Sequence, residues 1–203
     1  IAGDFDYNPH TREYTKQGVT NNELLISSSA FGSIYGNQIK IVGVNGNIGV
    51  AGDVISERVL KINADGTIVT NKTQAKEAME VKAKEFTQNT STYTEGNLTI
   101  DADKVTLKGN GTQAGNILIT GDLENEVNIY SGNDINIGKG LVNKSGQIVP
   151  ERNISVGGKT DNRDLLYAKN SITVGKELNN TGNTQNNRSI KTGGKTKNTG
   201  KIL

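Results

Sequence analysis

Four aspartates, Asp101, Asp103, Asp122 and Asp134, are the residues of this chain whose type and spacing could do hydrolytic chemistry. Carboxyl groups held about 5 to 9 Å apart can act as acid and base in glycoside cleavage. Asp103 and Asp122 are 19 residues apart, one step of a repeat set out below, and so occupy equivalent positions in adjacent repeats. Two observations count against an enzyme. Aspartate is common at turns and strand ends, and no Arg or Lys constellation with a calcium-binding carboxylate cluster accompanies these four. Calcium repeats of the G-G-x-G-x-D type are missing, since Gly157-Gly-Lys-Thr-Asp161 lacks the spacing. There is no nucleophile motif, P-loop or dinucleotide fingerprint. The sequence therefore assigns no catalytic residue, no cofactor and no metal ligand.

Other chemistry is limited by what the chain lacks. It has no Cys, which removes disulfides and thiolate zinc sites, and a single histidine, His10, which cannot build a transition-metal site alone. Phe5, Tyr7 and Tyr14 are three of nine aromatics, on a segment that reads as two short strands around Asn8-Pro9. They could stack on sugar rings or insert into a partner, or pack the hairpin onto the rest of the chain. The net charge of +2 is small. Arg188, Lys191, Lys195, Lys197 and Lys201 form a basic run with no acid, open to a solvated face or an anionic partner. No aromatics are interleaved there to stack bases, which argues against nucleic acid. N-x-S/T sequons, among them those at Asn71, Asn89, Asn97, Asn110, Asn143, Asn153 and Asn187, are expected from an Asn-, Ser- and Thr-rich composition. No apolar run approaches the roughly 20 residues of a membrane span.

The elements that must position these groups are repeats. One apolar line runs Ile39, Leu60, Met79, Leu98, Ile117, Ile135, Ile154, Ile172 and Ile190, in steps of 21, 19, 19, 19, 18, 19, 18 and 18. Two residues on, a second runs Ile41, Ile62, Val81, Ile100, Ile119, Ile137, Val156, Val174 and Thr192. Four residues after the first line stand mostly Gly or Ala, interrupted by Lys139 and Lys176. Apolar residues at i and i+2 mark a strand with one face inward. A unit of 18 to 21 residues is too short for a helix pair and fits one coil of a β-helix, with two or three short strands joined by turns. Nine coils would form a rod about 40 Å long, which explains how a chain only 33% hydrophobic could fold. Eight residues after the first line come Asn125, Asn143, Asn162, Asn180 and Asn198, in five successive coils. Stacked amides can bond along the axis, so these five read as a structural ladder rather than a ligand-binding row.

Gln74–Phe86 tests the repeat. Its Ala, Lys and Glu favour a helix, yet Met79, Val81 and Ala83 fall on the three repeat lines. Stacking overrides weak propensity, so the segment is expected to be a strand. Past residue 157 the core lines thin, and the last coil reads as an uncapped edge that would make a monomeric rod prone to end-to-end association. The chain starts with Ile and shows no signal peptide, as expected of a piece of a longer protein.

The segment Ser29-Ala30-Phe31-Gly32-Ser33-Ile34-Tyr35-Gly36-Asn37-Gln38-Ile39-Lys40-Ile41, followed by Asn47-Ile48-Gly49-Val50, resembles the filamentous haemagglutinin family of large exoproteins. Ile1–Tyr7 is similar to the end of that family's secretion domain, and Ile135–Ile148 to its haemagglutinin repeats. The resemblance implies an all-β, right-handed parallel β-helix, here of about nine coils over residues 23–203. Residues 1–22 would form a hairpin-like excursion outside the helix. It further implies two-partner secretion, with an outer-membrane transporter as export partner and display at the surface of a Gram-negative cell. The function implied is adhesion to a host-cell receptor, glycan or matrix protein. Two alternatives stay open: the stalk of a contact-dependent inhibition exoprotein, and a polysaccharide-active enzyme.

Overall fold

A computed structural model describes residues 32–203 in full, together with the backbone of the strands Phe5–Asn8, Glu13–Lys16 and Glu23–Ser27. Among the described residues there is no helix. The chain winds through a parallel β-solenoid with three sheets, each coil contributing a rung to every sheet in turn.

The first sheet has nine strands, from Ile39–Gly43 through Ala78–Lys82 to Ser189–Thr192. Its registers are those of the two apolar lines: Ile39 faces Leu60, Met79 faces Leu98, Ile117 faces Ile135 and Ile172 faces Ile190. Ala78–Lys82 pairs with a strand on each side, and Met79 and Val81 are buried. Here neighbouring coils supply apolar contacts and ladder bonds that outweigh the helical preference of Ala, Lys and Glu. The second sheet runs from Glu23–Ser27 and Gly46–Val50 to Thr196–Asn198, and the third from Ile34–Gly36 to Lys201–Ile202. In two coils the chain rounds the corner between these sheets within one long strand, Thr67–Ala75 and Glu85–Thr94. The strands Phe5–Asn8 and Glu13–Lys16 form an antiparallel pair, and the backbone of the latter lies beside Ile39–Gly43.

Each sheet turns alternate residues inward, so the core consists of columns along the rod. The first sheet supplies aliphatics, and the second supplies Ile48, Ile68, Phe86, Val105, Leu123, Leu141, Thr160 and Leu178. Fully burying one such Leu or Ile is worth about 1.5–3 kcal/mol. The adjoining inward column of the second sheet starts as Val50, Thr70, Gln88 and Leu107 and continues as Asn125, Asn143, Asn162, Asn180 and Asn198. The first four of these asparagines are buried. Each Nδ2 donates to the Oδ1 of the next asparagine, at 2.9, 2.8, 2.8 and 2.8 Å. The same nitrogens also donate to corner carbonyls, for example Asn125 to Val127 at 2.7 Å and Asn162 to Asp164 at 2.8 Å. The amides therefore close the corner as well as joining the coils. Gln88 does related work in its coil: its Nε2 donates to the carbonyls of Lys108 and Gly111, and its Oε1 accepts from Thr112 Oγ1.

The corner after the first sheet is glycine in the last four coils, at Gly138, Gly157, Gly175 and Gly193. The carbonyl oxygen of the preceding coil lies 2.2–2.3 Å from where a Cβ would stand, so a larger residue would push the coils apart. Packing is imperfect at Thr160, whose buried hydroxyl has no partner between Leu141 and Leu178.

Three substitutions in these columns test their contributions to stability. Asn143→Ala strips the donor from Asn162 Oδ1 and from the Gly146 carbonyl, and should cost about 2 kcal/mol in urea denaturation. Asn198→Ala, at the exposed end of the ladder, should cost less than about 1 kcal/mol. In the opposite direction, Thr160→Val removes an unpaired hydroxyl at constant shape and should raise stability by about 1 kcal/mol. Equal midpoints for Thr160→Val and the parent would show that the hydroxyl is solvated.

Candidate ligand-binding face

Outward positions of the third sheet form a column that the apolar pattern does not reveal. It reads Tyr35, Ile55, Gln74, Tyr93, Gln113, Tyr130, Val149, Tyr167 and Gln185. All four tyrosines of residues 32–203 lie in it. Tyr35 is 68% exposed, Tyr93 36% and Tyr130 41%, while Tyr167 is half-buried. The inward neighbours along these strands are small or β-branched: Val54, Thr73, Thr92, Thr112, Ile129 and Ile148. Threonine and tyrosine both favour strands, and together they hold the sheet without a continuous aliphatic run.

A shallow groove of about 270 Å³ opens between Tyr93 and Tyr130, over Gln113 and between Ser91, Asn110 and Asn128. Among the described residues no side-chain hydrogen bond holds Gln74, Gln113, Gln185, Ser91 or Asn110. Three cations flanking the column are each paired across one coil: Lys72 with Asp53 at 3.4 Å, Lys76 with Glu57 at 2.5 Å and Lys169 with Glu151. Lys201, on the last strand, is exposed and carries no ion pair among the described residues. The column itself carries no charge. Its chemistry is that of stacking surfaces with free amides between them.

The sequence-derived candidates lie elsewhere. Phe5, Tyr7 and Tyr14 are on the antiparallel strand pair, where Tyr7 and Tyr14 are directly opposed and Phe5 faces Lys16; their side chains lie outside the described residues. The four aspartates each bond to another coil, Asp103 to one two turns away and the other three to the adjacent one. Asp101 accepts from Thr120 Oγ1, Asp103 from Lys139 Nζ, Asp122 from the Gly140 N–H, and Asp134 from both nitrogens of Asn153. Asp103 and Asp122 are not counterparts as their spacing suggests. One extra residue at the corner puts Asp122 opposite Lys104. Arg188, Lys191, Lys195, Lys197 and Lys201 are exposed, but the last coil distributes Lys191, Lys197 and Lys201 over its three sheets, so the run forms a ring rather than a patch.

A second polar ladder escaped the sequence reading. Asn97, Asn116, Asp134, Asn153 and Ser171 precede the first apolar line and bond in series, at 3.0 Å for Asn116 to Asn97, 2.8 Å for Asn153 to Asp134 and 2.8 Å for Ser171 to Asn153. Asp134 joins Asn116 through its backbone N–H. The signal was present one residue before each Ile or Leu, mixed in residue type. The tyrosine column had a signal too: Tyr93, Tyr130 and Tyr167 are 37 residues apart, two coils each time.

Comparison with protein-family models, with curated proteins and with solved structures found no match in any of the three.

The second sheet carries another shallow groove, in which Asp122, Glu124 and Asp161 alternate with Lys104 and Lys159. The Glu124 carboxyl is held below the usual range, chiefly by its hydrogen bond from Lys144, against a smaller opposing effect of desolvation. That is the direction opposite to the one a general acid needs at neutral pH. With its folded-state pKa below the unfolded value, Glu124 contributes stability at neutral pH that disappears as pH falls through the folded-state value. Lys144→Met should therefore move the Glu124 titration upward in NMR-detected carboxyl shifts. An unmoved titration would show that the pair does not form in solution.

Proposed function

We propose that this solenoid is a non-catalytic scaffold of a large secreted or surface-displayed attachment protein, presenting one outward face to host cells, matrix or other bacteria. The observation that carries this reading is the exposed tyrosine column with its unpaired amides, set on a rod whose other described polar columns are largely bonded to themselves. Aromatic side chains that remain exposed concentrate binding energy at interfaces. A stiff repeat structure holds them in a fixed line, so several modest contacts add without each having to be ordered on binding. The segment Ser29–Ile41 with Asn47–Val50 supports the same reading through its resemblance to the filamentous haemagglutinin exoproteins. On that resemblance, export would proceed through an outer-membrane two-partner transporter. The aspartates give less support to an enzyme, since each has a bond to another coil.

The test is retention of protein-coated beads on cultured cell layers and on immobilised matrix proteins under flow. Beads carrying the folded protein should be retained above beads carrying the same protein after denaturation. Equal retention on every surface would overturn the attachment reading.

A further inference from the structure

We infer that the outward column of the third sheet binds an extended, uncharged polysaccharide laid along the rod axis. The inference deepens the attachment reading by naming the class of surface molecule and the residues that hold it. Spacing is the first argument. Successive coils are about 4.8 Å apart, so Tyr93, Tyr130 and Tyr167, on every second coil, recur at about 10 Å and together span about 19 Å. Tyr35 extends the line three coils further. One pyranose ring of an extended chain advances by roughly one strand spacing, so every second ring would meet a tyrosine. The apolar C–H face of a sugar packs against an aromatic ring, and its hydroxyls, at the ring edge, need hydrogen-bond partners. Gln74, Gln113 and Gln185 stand in the column between or beside the tyrosines with amides that bond nothing else described. In the groove at Gln113, Ser91 and Asn110 add further free donors and acceptors.

Charge is the second argument. Lys72, Lys76 and Lys169 beside the column are each engaged by a carboxylate of the neighbouring coil, and the column has no ionisable group other than its tyrosines. Over the span from Tyr35 to Tyr167 a sulfated or uronic chain, or a nucleic acid, would find no free cation on the strands of this sheet, and the unpaired Lys201 stands only beyond it on the last coil. Topology disfavours an added peptide strand, because the edges of a solenoid sheet lie at the rod ends and not along this face.

The experiment is native electrophoresis of the folded protein through gels containing hydroxyethylcellulose, galactomannan or soluble amylose, with heparin as the charged comparison. Calorimetry with graded neutral oligosaccharides follows. At least one neutral polysaccharide should retard the protein, and heparin should not. Tyr93→Ala or Tyr130→Ala should each weaken binding about tenfold and the two together about a hundredfold, whereas Tyr130→Phe should stay within about threefold. Affinity should rise with chain length until the ligand spans Tyr93 to Tyr167. Circular dichroism and melting of each variant should match the parent, since Tyr93 and Tyr130 project into solvent. Retardation by none of the neutral polymers, stronger binding to heparin, or unchanged binding in the double Ala variant would overturn the inference. So would a concentration-dependent dimer in sedimentation that the Tyr→Ala variants abolish, since the face would then be an interface between copies. Bead retention that survives in the Tyr→Ala variants would leave the attachment reading standing while removing this site from it. Polysaccharide binding without bead retention would do the reverse.

Discussion

A parallel coil places every residue beside its counterpart one turn away, and each column of this solenoid is a solution to that self-adjacency. Aliphatic columns solve it by packing, as Ile117, Ile135 and Ile154 do. Buried amides solve it because carboxamide carries both donor and acceptor: Asn125 can give to Asn143 while Asn143 gives to Asn162. Charges are relieved by opposite sign in the next coil, so Lys61 stands beside Glu80 and Arg58 beside Glu77, and Lys61 has Glu80 on one side where Lys40 lies on the other. Such exposed pairs add little stability individually, but like charges in register would repel. The glycine corner is the steric form of the same rule, because the neighbour's carbonyl occupies the space a Cβ needs.

The same constraint fixes register. Side chains alternate faces, so a slip of one residue would turn an aliphatic column outward. The asparagine ladder also opposes a slip of two residues, which keeps the faces but would set Asn125 beside Leu141 or Asn143 beside Thr160 and leave buried polar atoms unpaired. The ladder begins where the preceding coil still carries Leu107 in that column. From Asn125 onward the first-sheet corner also tightens to glycine and the repeat shortens to 18 or 19 residues. Polar bonding and short corners thus take over as the aliphatic lines thin toward the last coils.

The first sheet was legible in the sequence because it buries two aliphatics per strand at fixed offsets, and periodicity finds that pattern even through the helix-favouring stretch around Met79. The inward asparagines were legible because one residue type repeats. The third sheet was not, because its inward column mixes Val, Thr, Ile and Leu and its strands start at variable distances from the first apolar line. Corner lengths differ by one or two residues between coils, as between Gln88 and Ser91 in Glu85–Thr94. Counting from the first line therefore loses register by the time it reaches the third sheet. A one-residue difference already at the first corner made Asp103 and Asp122 look like counterparts, and the further loss hid the alignment of the four tyrosines. The aromatics at Phe5, Tyr7 and Tyr14 drew notice for their local density, a signal that needs no register.

What separates a structural column from a binding column is then whether its polar groups are already spent. Asn97 to Ser171 and Asn125 to Asn198 both present amides in rows, yet in each row the groups answer one another along the axis. Had the third sheet placed glutamine in adjacent coils, it would have built a similar ladder and left nothing for a ligand. Instead, from Gln74 to Gln185 a tyrosine or Val149 separates the glutamines, so no amide has another within one strand spacing. The interruption that prevents self-satisfaction also sets the aromatic surfaces at a regular interval. A periodic scaffold reads a periodic ligand most economically when its own period is not closed on itself, and among the described columns this one combines exposed aromatics with unspent amides.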